Sequence, residues 1–100
     1  MKRGGAVYII TNKRNGTLYT GVTSDLKKRV LEHKNKSCPN SFTAKYNCHT
    51  LVYYKGFYSI EEAIAEEKRI KGGSRSAKLK LIEEHNPQWN DLWTEIENWS

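Results

Sequence analysis

Only two cysteines, two prolines and one methionine occur among the 100 residues, and the last twenty residues hold no lysine or arginine. The two cysteines, Cys38 and Cys48, fall in one irregular segment, so free thiols in a reducing environment are the simpler expectation and a disulfide between them is not needed. No apolar run is long enough to cross a bilayer, and Met1-Lys2-Arg3-Gly4-Gly5 leads into no hydrophobic signal core. The expected compartment is therefore the cytoplasm. With 37% hydrophobic and 28% charged residues, the chain reads as a folded domain, and its length points to a single domain over residues 1–100.

What the chain does have is positive charge, unevenly spread. The formal net charge is +6, but residues 1–80 hold all 17 lysines and arginines against six acids, a balance of +11. Residues 81–100 carry five acids instead. A basic body of this kind attracts polyanions, of which a phosphodiester backbone is the commonest.

Gly5 to Thr11 and Thr17 to Thr23 are short β-prone runs flanking Asn15-Gly16, the strongest local hairpin signal. A two-residue turn at Asn15-Gly16 would set Tyr8 opposite Thr23. Alternation then puts Tyr8, Ile10, Tyr19, Gly21 and Thr23 on one face, and Val7, Ile9, Leu18 and Val22 on the other. The second face reads as core. The first carries two phenols and a strand glycine, Gly21, which often marks the close approach of a ligand or another backbone.

Ser24 is expected to cap a helix over Asp25 to about Lys34, on which Arg29 and His33 stand one turn apart beside the apolar Leu26 and Val30. Residues 35–50 read as a loop with at most a helical turn near 42–46, and Leu51 to Phe57 as a third strand. Ser59-Ile60-Glu61-Glu62 is a capping box opening a helix that Gly72-Gly73 ends. On that helix Glu67 falls about 20° from Ile60, within the apolar stripe, whereas Glu66 is expected to face solvent. A carboxylate so placed needs a cation, either a metal or a structural partner such as Arg29. A further helix is expected near 76–84, ended by Pro87, and a last short one over 91–97 that buries Leu92, Trp93 and Ile96.

Two tyrosines, an arginine, a histidine and a carboxylate on a basic body suit phosphodiester hydrolysis. That reaction needs a base for water, a positive group against the developing charge and a divalent ion. A phenol with a free pKa near 10 needs help to act as that base, and the planar fork of Arg29 matches phosphate geometry.

The chain resembles the GIY-YIG nuclease superfamily, and most closely its small stand-alone bacterial members. Ala6-Val7-Tyr8 stands where the GIY element would be and Tyr19-Thr20-Gly21 where YIG would be, followed in family order by Arg29 and His33. Glu67 is similar to the family's metal-binding glutamate, and Asn90 to the asparagine that closes the motif set in related repair nucleases. The resemblance implies a mixed α+β fold, a three-stranded antiparallel sheet flanked by helices, and an endonuclease using one divalent ion, Mg2+ or Mn2+. It makes Tyr8, Tyr19, Arg29, His33 and Glu67 the catalytic set, with Glu67 holding the metal and Tyr19 activating water. Its substrate would be nucleic acid, expected to be DNA, in repair or recombination, with no membrane and no small-molecule cofactor.

Gly21, Lys68, Lys71, Arg75 and Asn90 are the expected nucleic-acid contacts, and Arg69, Lys78 and Lys80 extend the basic run. Alternatives are a non-catalytic nucleic-acid-binding module and a protein-interaction module using the acidic tail that carries Trp89, Trp93 and Trp99. A zinc site from His33, Cys38, Cys48 and His49 lacks Cys-x-x-Cys spacing.

Overall fold

Strand β1 (Gly5–Thr11) is buried along its whole length and carries β2 (Leu18–Thr23) on one edge and β3 (Thr50–Phe57) on the other, both antiparallel. Around this sheet lie α1 (Leu26–Lys34), α2 (Phe42–Lys45), α3 (Ile60–Lys71), α4 (Arg75–His85) and the single turn α5 (Trp93–Ile96). The computed structural model describes residues 4–36 and 40–99, so Cys38 lies outside the described residues. Among these, no helix is long and apolar enough to cross a membrane. The expected three-stranded antiparallel sheet with flanking helices is present.

The hairpin register differs from the expected one by two residues: Tyr8 faces Gly21 and Ile10 faces Tyr19. The turn centres on Arg14-Asn15, closed by the Gly16 N–H donating to the Lys13 carbonyl at 2.9 Å, with Asn15 at φ 57°. Side chains replace the last ladder rungs. Asn12 Oδ1 accepts from the Thr17 N–H at 2.9 Å, and the Thr11 hydroxyl lies 2.8 Å from the carbonyls of both Lys13 and Thr17. Because two is an even shift, every side chain keeps its expected face.

Both faces are core, which corrects the reading of only one as buried. Tyr8 and Ile10 pack with Leu26 and Val30 of α1, Leu51 and Ile96, with Tyr19 and Trp93 against them. Val7 and Ile9 pack with Ala63 and Ile70 of α3, Ile82 of α4, Val52 and Trp89. A bulge lets β3 serve both sides: Tyr53 pairs with Ile9 and Leu51 with Ile10, so Val52 is the extra residue and joins Tyr53 on the α3 side. Burying each such aliphatic side chain contributes about 1.5–3 kcal/mol, so the fully buried β1 is the main apolar anchor.

Helix starts follow side-chain caps. Asp25, rather than Ser24, caps α1 by accepting the Lys28 N–H at 3.2 Å. Ser59 caps α3 as expected, accepting the Glu62 N–H, and its hydroxyl donates to the Glu62 carboxylate. Ser74 caps α4, of whose apolar residues only Ile82 is fully buried.

Past α4 the chain returns to the sheet. Buried Asn86 donates to the carbonyls of Val52 (3.2 Å) and Asn90 (2.9 Å) and accepts the Asn90 N–H (3.1 Å). Asp91 Oδ1 accepts the Leu51 N–H, and the Leu92 N–H donates to the Leu51 carbonyl at 2.7 Å. The same segment grips α1: Lys34 pairs with Asp91 at 2.6 Å and Lys27 Nζ donates to the Trp99 carbonyl at 2.8 Å.

Candidate active site

Register brings the first two candidates together. With Gly21 opposite Tyr8, the absent side chain leaves room for the phenol: a Cβ at Gly21 would overlap the Tyr8 oxygen and ring. Gly21 therefore acts as a seat for Tyr8, not as an open backbone surface. Tyr8 is 1% exposed and its Oη lies 2.9 Å from His33 Nε2, which α1 lowers over the sheet. The other ring nitrogen, Nδ1, meets Thr43 Oγ1 at 2.9 Å, and Thr43 in turn meets Ser41 Oγ at 3.2 Å. A continuous polar chain thus runs from the sheet core to the start of α2.

Tyr19 is half-buried beside this chain, with ring centroids 6.4 Å from Tyr8, 5.8 Å from His33 and 6.0 Å from Phe42. Tyr19, Arg29 and His33 line one cavity of about 360 Å³ with Glu32, Lys36, Ser41, Phe42 and Thr43. Tyr8 forms part of what lies behind it. Sequence reading passed over Ser41, Phe42 and Thr43 because they sit in an irregular stretch; the one local signal was Ser41, whose side chain caps α2 by accepting the Ala44 N–H at 3.3 Å.

Electrostatics sort the groups. Burial, and then the neighbouring Tyr19, push the Tyr8 phenol well above the usual range, only partly offset by the Arg29 charge. Burial, and then the same guanidinium, lower the His33 pKa, so the imidazole is neutral at pH 7 and retains a basic nitrogen. Arg29 itself is exposed and leans on Glu32 at 3.2 Å, a surface pair worth little that a phosphate can displace.

Glu67 is not the partner of Arg29. Its side chain is 12% exposed and takes Lys71 Nζ at 2.7 Å, while the Lys71 ammonium stands 5.7 Å from the centre of the Tyr19 ring. The hydrogen bond to Glu67 raises the Lys71 pKa. Through Lys71, the carboxylate of α3 is therefore linked to the phenol that lines the cavity. Glu66 does not point freely into solvent: it is 18% exposed and receives Arg69 in a two-pronged pair at 2.8 and 2.6 Å, which lowers its pKa.

The donor set discriminates between metals. Among the described residues, no three His, Cys, Asp or Glu side chains gather where a metal could sit. Both nitrogens of His33 are engaged, and Cys48 is a buried thiol whose pKa is raised by burial, which speaks against the zinc alternative. Glu67 is one shielded carboxylate, taken by the Lys71 ammonium. A divalent ion there would have to displace that ammonium and draw its other ligands from water and substrate phosphate, as a hard cation commonly does.

The basic run lies outside the cavity. Lys68, Lys71, Arg75 and Lys80 are exposed, and Arg75 also donates to the carbonyls of Asn15 (2.8 Å) and Gly16 (2.6 Å), bracing the hairpin loop. Asn90 is exposed, and its backbone is held by Asn86, the buried asparagine that sequence reading overlooked.

Residues 4–80 match the family described as the GIY-YIG catalytic domain. A UPF0213 protein of Staphylococcus saprophyticus is 40% identical over 78 residues, covering 78% of this chain and 93% of its own length. A UPF0213 protein of Clostridium perfringens is 40% identical over 76 residues, covering 76% and 80%. The solution NMR structure of a UPF0213 protein from Bacillus halodurans aligns with a TM-score of 0.55 at 26% identity, over 96% of this chain and 97% of that one. The paired strands and helix that gather Tyr8, Tyr19, Arg29 and His33 lie within the matched segment, and the chain belongs to the GIY-YIG family.

Proposed function

We propose that this protein is a metal-dependent endonuclease that hydrolyses phosphodiester bonds in DNA. The observation that carries the reading is the convergence of Tyr19, Arg29 and neutral His33 on one cavity, backed by Tyr8 and linked through Lys71 to the carboxylate of Glu67. In this reading Arg29 turns from Glu32 to grip the non-bridging phosphate oxygens with its fork. Tyr19, the phenol facing the cavity, orients and activates the attacking water, and the proton that this releases passes to His33 through the Thr43 hydroxyl, which lines the cavity and lies 2.9 Å from Nδ1. Tyr8 and Thr43 fix the His33 ring from its two nitrogens, so the imidazole presents one orientation. Glu67, released by Lys71, would hold a divalent ion, Mg2+ or Mn2+, which would supply charge neutralisation at the phosphate and the leaving oxygen.

Lys68, Lys71 and Arg75, together with the exposed Asn90, extend along the backbone of the bound strand. A role in DNA repair or recombination in the cytoplasm, carried by one domain over residues 1–100, is consistent with the basic surface. Incubation of plasmid and branched DNA with Mg2+ or Mn2+ tests the assignment, and the expected result is nicking by the native protein that EDTA and Glu67→Gln abolish. Absence of metal-dependent cleavage on every substrate overturns it. The Lys71 ammonium on Glu67 favours one second reading, a nucleic-acid-binding module that keeps the cleft for recognition. Tight, salt-sensitive binding in EDTA without cleavage in metal would select that reading.

A further inference from the structure

The cavity continues into a feature that hydrolysis does not use. Phe42 and Tyr46, on and just after α2, stack on each other with centroids 4.7 Å apart, yet Phe42 is 46% and Tyr46 49% exposed. Phe42 lines the cavity and its ring is 6.0 Å from that of Tyr19, so three tilted rings lead outward from the site. Basic side chains flank them: Arg29 and Lys36 line the cavity, and exposed Lys45 lies between the two rings in sequence. An apolar aromatic step beside a cationic hollow has no use for a phosphate, which would lose water without gaining a donor. Its flat faces suit a nucleobase, and every base has one.

From this we infer that Phe42 and Tyr46 form a stacking platform for an unpaired base next to the phosphate held by Arg29, so the preferred ligand is single-stranded nucleic acid. A base inside a duplex already has both faces covered by its neighbours and cannot reach the platform without being unstacked. The inference rests on the nucleic-acid part of the proposed function, not on cleavage.

The test is equilibrium binding in EDTA, with fluorescently labelled single-stranded DNA and RNA oligonucleotides, the same DNA strand carrying abasic sites, and a matched duplex. The native protein is expected to prefer the base-bearing single strand. Phe42→Leu with Tyr46→Leu keeps the apolar surface but removes the rings, and should weaken that binding at least about five-fold while leaving the abasic strand and the duplex unchanged. Phe42→Trp should retain native affinity, and Tyr58→Ala, at an aromatic that is 98% exposed and outside the cavity, should change nothing. Equal loss on the abasic strand, or no loss on the base-bearing one, overturns the platform. A comparison of the DNA and RNA arms identifies the sugar preferred. If the native protein binds no nucleic acid at all, both readings fall. If it binds through the platform but never cleaves, only the nuclease falls.

Discussion

Tyr8 sits across Gly21, its phenol oxygen 2.9 Å from His33 Nε2, so a backbone without a side chain on β2 determines where an imidazole on α1 is held. A methyl group at Gly21 must displace the ring that His33 leans on. Gly21→Ala is therefore expected to cost about 1–3 kcal/mol in urea unfolding and to reduce cleavage more than Tyr8→Phe does. Combining Gly21→Ala with Tyr8→Leu should recover part of the lost stability, because the leucine vacates the overlapped space. Simple additivity of the two changes would count against this coupling.

The His33 environment gives a pH dependence with a definite sign. Its pKa is lowered on folding, so just below the ordinary histidine value of about 6.5 the unfolded chain binds more protons than the folded one. Stability from this group is complete above that value and is lost as pH falls through the window beneath it. Unfolding measured at pH 7.5 and 5.5 should show a larger loss for the native protein than for His33→Gln, the difference isolating the imidazole from other groups.

Arg29 contributes geometry as well as charge. Arg29→Ala is expected to lower kcat by about 10²–10³-fold, and Arg29→Lys should recover little of it, since a point charge does not reproduce the two-pronged grip. Because Arg29 is exposed and its pair with Glu32 lies on the surface, both variants should keep their melting temperature to within a few degrees. Full activity in Arg29→Lys would show that charge alone suffices.

Two asparagines four residues apart separate structure from recognition. Asn86→Ala removes three hydrogen bonds at a buried position and should destabilise by about 2–4 kcal/mol. Asn90→Ala, at an exposed position, should stay within about 0.5 kcal/mol of native stability. If Asn90 contacts the bound strand, its alanine variant loses affinity without losing stability, and unchanged affinity removes it from the interface.

Period and turn chemistry made much of this architecture readable. Alternation put Tyr8, Tyr19 and Gly21 on one face although the register was two residues off, because an even slip moves partners without exchanging faces. Helical phase brought Arg29 and His33 to one side and shielded Glu67, yet it could not reveal that Lys71, one turn further on, takes the carboxylate in place of Arg29. The turn centre was missed because Thr11 and Asn12 close the loop with side-chain bonds that Asn-Gly statistics do not anticipate. Thr43 and Phe42 stayed invisible for a related reason. They come from an aperiodic stretch, and only tertiary packing brings it against His33.

The family match ends at residue 80, but the hydrophobic layer beneath Tyr8 does not. Ile96 lies within that layer, and Lys27 and Lys34, which flank Arg29 and His33 on α1, are both fastened to residues beyond 90. An excised fragment stopping at the motif boundary would strip the floor from the cleft and loosen α1, with Arg29 and His33, from the strands that carry Tyr8 and Tyr19. The acidic terminus thus works as a keel for α1, and the smallest stably folded unit is expected to be longer than the matched segment.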